Sequence, residues 1–386
     1  MNSESQSLVP ATQQDESEKL TVDEVRESLS TTEKGQPANT IGNCRTVFCQ
    51  DPLLRGAIRL NLLTDRVDIV RDLGWRRSTS ALTDTDVKYL LLYFEQNYGL
   101  TSEKKLIAAL SIAANENCYH PIRDVLNSLV WDSIPRIRSC LHHFLGADES
   151  DYVEEMLKHF LLGAIRRVFH PGSKYEELLC LVGGQGAGKS TFFRFLAIQD
   201  EWFSDDLKKL DDDKVFAKRQ GHWIIEMSEM LATSNAKSIE EIRSFISRQK
   251  ETYRTPYETQ PKDRLMQCVF GGFSNTLDFL PLDRAGNRRF LPVMIYPEKA
   301  EVHILEDEAV SREYLLQVWG GGYDHLPQRR VFHEIFKGDS KAVGGSPEGL
   351  HAGGYRSRAN SGLSGTLHRQ CSLLQTAVQG SIGTRL

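Results

Sequence analysis

An α/β fold, with a parallel sheet flanked by helices behind a mostly helical N-terminal module, follows from three features of the 386-residue sequence. The first is an apolar run, Leu178-Leu179-Cys180-Leu181-Val182, that breaks into glycines and then into Lys189-Ser190-Thr191. The second is a pair of later apolar runs, one ending at Glu226 and one at Ser274-Asn275, each short enough to be a buried strand. The third is helical periodicity through most of the chain ahead of residue 172.

The glycine-rich segment is Gly183, Gly184, Gln185, Gly186, Ala187, Gly188, Lys189, Ser190 and Thr191. Its Gly183, Gly188, Lys189 and Ser190 satisfy the G-x-x-x-x-G-K-[ST] spacing of a phosphate-binding loop. Glycines let successive backbone N–H groups turn around an anion, the lysine reaches the β/γ-phosphates and the Ser190 hydroxyl ligates a magnesium ion. A helix opening at the loop adds its positive N-terminal end to the same site. The plainer reading is a glycine-rich strand-to-helix connection that binds nothing; the strand before it and the apolar helix after it weigh against that. The expected core is therefore that of a P-loop NTPase, with ATP and Mg²⁺ as its cofactors.

Forty per cent hydrophobic and 26% charged residues are ordinary for a globular chain, and the formal charge of -5 argues against blanket affinity for nucleic acid while leaving local basic patches open. Seven cysteines occur singly, without a C-x-x-C, which predicts reduced structural thiols. The N-terminus shows no signal-peptide core and no apolar run approaches the ~20 residues that span a bilayer, so a cytoplasmic protein without membrane association is expected.

Residues 1–40 are polar and almost free of aromatics, predicting a disordered tail, although Thr21 and Glu24 have capping-box spacing for a short helix over Thr21 to Leu29. Residues 41–130 read as the helical module, with helices at Leu82 to Tyr98 and Glu103 to Asn117 and an extended stretch near Ala57 to Val70. Asp84 or Thr83, and Thr101 or Ser102, are the candidate caps, and Pro121 starts the next helix. Residues 131–172 form a helical prefix whose long helix, Asp151 to Phe169, ends in Arg166-Arg167 before His170-Pro171-Gly172. Residues 173–319 form the ATPase core, and residues 320–386 a Gly/Ser/Arg-rich tail without helical periodicity.

Within the core, His222 to Met230 is an apolar strand ending in Glu226 and Glu229. An NTPase needs an acid at a strand end to hold Mg²⁺ and a second to polarise the attacking water, which these two supply; the alternative is that both merely begin a helix. The run Asp211-Asp212-Asp213 reads as a solvated loop sooner than a metal site. Arg248, Lys250, Arg254 and Lys262, interleaved with Tyr253 and Tyr257, suit phosphates and stacked bases of single-stranded nucleic acid, with solvated surface charge as the competing reading. Asn275 closes a strand expected beside the phosphate strand, where an amide can contact the γ-phosphate as sensor residues do; the competing reading is a plain turn residue, and the order of motifs along the chain favours the sensor. Arg288 and Arg289, after Gly286-Asn287, stand where an arginine finger is usually found, or are a pair of surface arginines at a strand start.

In this order, Trp131-Asp132-x-x-Pro135-Arg136, the Gly183–Thr191 loop, Glu226-x-x-Glu229, Ser274-Asn275 and Gly286-Asn287-Arg288-Arg289-Phe290 resemble the virulence-associated protein E family, as does Asn117-x-x-His120-Pro121 ahead of them. The resemblance spans about residues 45 to 319. The family comprises P-loop ATPases of phages, plasmids and genomic islands similar to superfamily III helicases. It implies Lys189 and Ser190 for phosphate and Mg²⁺, Glu226 and Glu229 as the acidic pair, with Glu226 toward the metal, Asn275 as sensor and Arg288 and Arg289 as finger candidates. It further implies DNA, chiefly single-stranded, as a partner and a homo-oligomeric ring, commonly a hexamer, with the finger supplied by the neighbour. A nucleotide-binding regulatory or interference protein without unwinding is the alternative.

Two departures from the family are visible. No paired-acid primase motif precedes the ATPase, so a priming activity is expected on a replication partner. After Val318-Trp319 the glycine-rich tail replaces the helical, acidic continuation of the family, which suggests a disordered or frameshifted C-terminus. An adjacent reading frame that encodes no such continuation would refute the frameshift.

Overall fold

The structure is a computed structural model and describes residues 20–207, 219–227, 236–253, 262–277 and 289–324. The chain divides into two compact units, Met1–Ser128 and Leu129–Leu386. Among the described residues no helix is long and apolar enough to cross a membrane.

Unit one builds its core from four helices and a hairpin, and a fifth helix follows. Helix α1 (Val22–Glu27) is closed by a capping box between Thr21 and Glu24, and α2 (Ile41–Gln50) by the Thr40 hydroxyl. Strands β1 (Ile58–Asn61) and β2 (Arg66–Ile69) pair antiparallel, Ile58 opposite Ile69. Helix α3 (Asp84–Tyr98) has Thr83, not Asp84, as its cap and ends on Gly99 at φ 67°. Helices α4 (Glu103–Glu116) and α5 (Pro121–Ser128) follow. Neither Thr101 nor Ser102 caps α4 through its side chain; the Asn39 carboxamide instead accepts from the N–H groups of both.

Residues 20–40 are therefore not part of a disordered tail. Val25 and Leu29 are buried in the same core as Val47, Phe48, Leu90, Phe94 and Leu106, and that burial offsets the chain entropy the polar composition alone could not. The remaining tail, residues 1–19, lies outside the described residues.

Unit two begins two residues before the expected boundary at 131. Helix α6 (Ile137–Leu145) ends on Gly146, whose positive φ and close approach to the Tyr296 carbonyl admit no side chain. Helix α7 (Asp151–Phe169) has the predicted bounds and is capped by Ser150. Next come β3 (Leu178–Val182), α8 (Lys189–Leu196), β4 (Phe203–Ser204), β5 (Ile224–Glu226) and α9 (Ala236–Ile246). Strands β6 (Lys250–Tyr253) and β7 (Lys262–Leu265) form a separate antiparallel hairpin, followed by β8 (Val269–Ser274), β9 (Phe290–Met294) and α10 (Glu308–Asp324).

The main sheet has the order β4-β5-β8-β3-β9, and every pair in it is parallel. Strand β3 is buried along its whole length, as a central parallel strand covered on both faces must be. Arg167 of α7, wholly buried, donates to the carbonyls of Cys268, Tyr175 and Ile246, tying that helix to the segments that enter β8 and β3 and to the end of α9.

Helix α10 does not stop at Trp319, where the glycine-rich tail was expected to begin. Gly320 and Gly321 lie inside it against the Trp131 side chain, and a Cβ at Gly320 would stand 3.2 Å from that residue. Gln317 accepts from the Asp132 N–H and donates to the Val130 carbonyl, while Arg136 pairs with Asp132 at 2.6 Å. The first and last motifs of unit two are thus closed on one another. Residues 325–386 lie outside the described residues.

Candidate nucleotide-binding site

The loop from Gly183 to Gly188 leaves the C-terminal end of β3, and its start is held on both sides. The Gly183 N–H donates to the Ser274 carbonyl of β8, and the Val182 carbonyl accepts from Ile295 beyond β9. Gly183 has no room for a side chain, since a Cβ would stand 2.5 Å from the Ile295 oxygen; at Gly188 a Cβ would stand 2.7 Å from Ile304 Cγ2. By contrast, nothing lies within 4 Å of a Cβ built on Gly184 or Gly186, and residues 184–186 face solvent. Gly186 and Gly188 have φ of 81° and 71°, which turns the backbone inward before α8 begins.

The donors in this cradle suit a polyphosphate. Among the described residues, the backbone N–H groups of residues 184–190 donate to no protein acceptor. Lys189 is 5% exposed and donates to the Gly183 carbonyl at 2.7 Å and to that of Gly184. Its ammonium lies 5.2 Å from the Phe273 ring centre and has no carboxylate partner among the described residues. Burial pulls its pKa below the ordinary lysine value. Among the described residues, a buried cation held by two carbonyls beside N–H groups without protein acceptors is an arrangement with the chemistry to receive an anion.

The other expected residues are placed as follows. Asn275 is exposed and directly follows Ser274, which is opposite Val182, so it sits at the lip of the loop on the neighbouring strand. Glu226 is 7% exposed and opposite Gly271, which is itself opposite Leu179, three residues behind the lip. A Cβ on Gly271 would collide with the Phe193 ring of α8, so the loop helix crosses the sheet beside Glu226, with Ser190 one turn nearer the loop on the same helix face. No group of three or more His, Cys, Asp or Glu suited to a metal ion occurs among the described residues. The Ser190 hydroxyl and the Glu226 carboxylate are hard oxygen donors of the kind Mg²⁺ takes together with phosphate oxygens and water.

Glu229 and Arg288, like Asp211 to Asp213, fall outside the described residues. Arg289 does not join the cradle. It precedes Phe290, which is opposite Leu178 at the start of β3, so it lies about 15–20 Å from the loop at the strand rise of ~3.3 Å per residue. There it faces Glu176 at 3.6 Å.

The described residues of the basic, aromatic stretch 248–262 lie in or directly before the antiparallel strands β6 and β7, and part of their charge is already matched. Lys250 pairs with Asp263 at 2.7 Å, and Arg248 pairs with Glu251 at 3.3 Å; Glu251 also pairs with buried Arg219. Arg254 and Tyr257 lie outside the described residues. Ile295, Ile304 and Phe273, which wall the loop, carry no motif; they act through shape, and only the folded chain brings residues 295–304 back to the glycines.

Residues 126–338 match the virulence-associated protein E-like domain. The match starts later than the expected residue 45, so most of unit one lies outside it, and it runs past Trp319 into the glycine-rich segment. No curated protein matches the chain. Among solved structures, the A form apo structure of the NrS-1 C-terminal region is similar, with 13% identity, a TM-score of 0.43 and coverage of 73% of this chain and 71% of that one. The A form apo structure of NrS-1 region 305–718 gives 14%, 0.39, 70% and 65%, and the other apo structure of that region 14%, 0.39, 69% and 64%. With over half of its length matched, the chain belongs to the virulence-associated protein E-like family.

Proposed function

We propose that unit two is an ATP-hydrolysing motor of the superfamily III helicase type, acting on DNA in the replication of a phage, plasmid or genomic island. The observation that carries the reading is the buried Lys189 ammonium, without a carboxylate partner among the described residues, at the mouth of a glycine cradle whose N–H groups meet no described acceptor. ATP with Mg²⁺ would supply the phosphoanhydride and the charge-neutralising cation. The chain's own contribution is positioning and electrostatics. The N–H groups of residues 184–190 and Lys189 hold phosphate oxygens, and Ser190 presents its hydroxyl to the cation. Glu226 and Glu229 provide the acid for the metal's water shell and the base that orients the attacking water. Asn275, at the lip, contacts the terminal phosphate.

Arg289 at the opposite sheet edge cannot serve its own loop, which supports a finger donated to a neighbouring copy. Such a site is shared, so the working form is a ring, a hexamer by family resemblance, and the isolated monomer hydrolyses ATP poorly. The β6–β7 hairpin, inserted between the acidic strand and β8, is the element placed to pass strokes to DNA.

ATP hydrolysis by wild type and Lys189→Ala, with and without single-stranded DNA, tests this. The expected result is a DNA-stimulated activity that falls at least ~100-fold in the variant. Hydrolysis that ignores DNA, or that survives the substitution, refutes the motor.

A further inference from the structure

Unit one, most of which lies outside the family match, carries a surface of its own. The loop after β2 contains Arg71, Trp75, Arg76 and Arg77, and α3 presents Tyr89 beside it. Arg77 is committed to structure. It pairs with buried Asp86 at 2.9 Å and donates to the carbonyls of Ile69, Ser80 and Ala81, closing both ends of the loop. The Trp75 indole is fixed from below, its Nε1 donating to Asp86 at 2.8 Å. The loop is therefore held in one shape before any partner arrives.

On that base the exposed groups are of two kinds. Tyr89 stacks on Trp75 at 5.2 Å and 14°, yet is 44% exposed, so the ring face away from Trp75 is open. Leu92, one turn further along α3, is 47% exposed and extends the apolar shelf. Arg71 and Arg76 are exposed and have no ion-pair partner among the described residues. Three other exposed cations of unit one are matched, Arg26 by Asp23, Arg45 by Glu116 and Lys88 by Glu103, and what sets Arg71 and Arg76 apart from the rest is their place beside the Trp75–Tyr89 stack. The acid within the loop, Asp72, accepts from the Gly74 N–H.

An outward-facing aromatic platform flanked by unmatched guanidinium groups on a rigid loop has the chemistry of a single-stranded nucleic-acid contact. A base stacks on the ring, phosphates meet the arginines, and no sequence is read. We propose that the Arg71–Arg76 loop and Tyr89 form a single-stranded nucleic-acid-binding surface on unit one, separate from the ATPase core and its hairpin. The surface binds without nucleotide, so it stands or falls independently of the hydrolysis reading.

The test is a titration of the full chain, without ATP, against fluorescein-labelled oligo(dT), read by anisotropy over a range of salt. Arg71→Ala combined with Arg76→Ala should weaken binding and lower the salt slope by about 1.4, at about 0.7 per single-strand phosphate contact. Tyr89→Ala should weaken binding about tenfold with the slope unchanged, and Tyr89→Phe should restore it. Circular dichroism checks that each variant remains folded; Tyr89→Phe keeps the packing in any case. Affinity and slope equal to wild type in both the arginine and Tyr89→Ala variants would overturn the proposal.

Discussion

Single residues show how burial and hydrogen bonding decide charge in this chain. Asp86 is 2% exposed and accepts from Trp75 Nε1, Arg77 Nε, the Thr83 N–H and the Thr83 hydroxyl. Burial alone would raise its carboxyl; the four donors outweigh that and hold it below the ordinary value. A depressed folded-state pKa contributes stability that is present above the unfolded carboxylate value of about 3.9 and is lost as pH falls through the folded value. Asp86→Asn places an amide N–H against donors, so unit one should lose about 2–4 kcal/mol at neutral pH. Its stability should also become flatter between neutral and strongly acid pH, as measured by urea unfolding at a series of pH values. Equal acid sensitivity in variant and wild type would show that another group dominates. The helix start at Thr83 or Asp84 was readable, but Asp86 and its Trp75 and Arg77 partners were not, because those partners come from a loop that only tertiary packing brings over the cap.

At the scale of elements, the chain was legible wherever local chemistry and burial agree. Helix α7 has a serine cap, an apolar stripe and a basic last turn, and its observed bounds are the expected ones. Strand β3 is five apolar residues before glycine. The β6–β7 hairpin was not legible as strands, since its residues are largely charged or polar and it pairs outside the main sheet, where Lys250 meets Asp263 across the two strands. The end of α10 was misread for the opposite reason. Gly320 to Gly322 look like a helix stop, yet here small residues let the helix approach Trp131 and Leu161, and Trp319 donates to Leu196 and stacks on Trp223. Close approach also governs α8 on the sheet, where Phe193 occupies the space a side chain at Gly271 would need. Gly271→Ala should therefore lower the melting temperature of unit two, at a cost of about 1–3 kcal/mol for overpacking. Phe193→Leu added to it should recover part of the loss. A double variant no more stable than Gly271→Ala would mean that the ring is not what resists the methyl group.

For the whole molecule, the decisive fact is that one sheet carries two candidate halves of a site at opposite edges. The glycine loop leaves the C-terminal edge beside Asn275, while Arg289 enters at the N-terminal edge, paired with Glu176. Motif order along the chain cannot reveal this, because in a parallel sheet a residue before a strand and a residue after one are a strand length apart. On the proposed function, the two edges meet between copies, a head-to-tail contact that closes into a ring. Lys189→Ala and Arg289→Ala proteins should then each be nearly inactive alone and recover activity when mixed. The Arg289→Ala copy offers an intact loop and the Lys189→Ala copy an intact finger. Random assembly at equal amounts should give about one quarter of the wild-type rate, since about that fraction of interfaces joins an intact loop to an intact arginine. Steady-state ATP hydrolysis of the mixture measures this, with co-assembly verified by exchange of labelled subunits. Co-assembled mixtures without recovered activity would show that Arg289 does not complete a neighbour's site and would return it to its in-chain partner, Glu176.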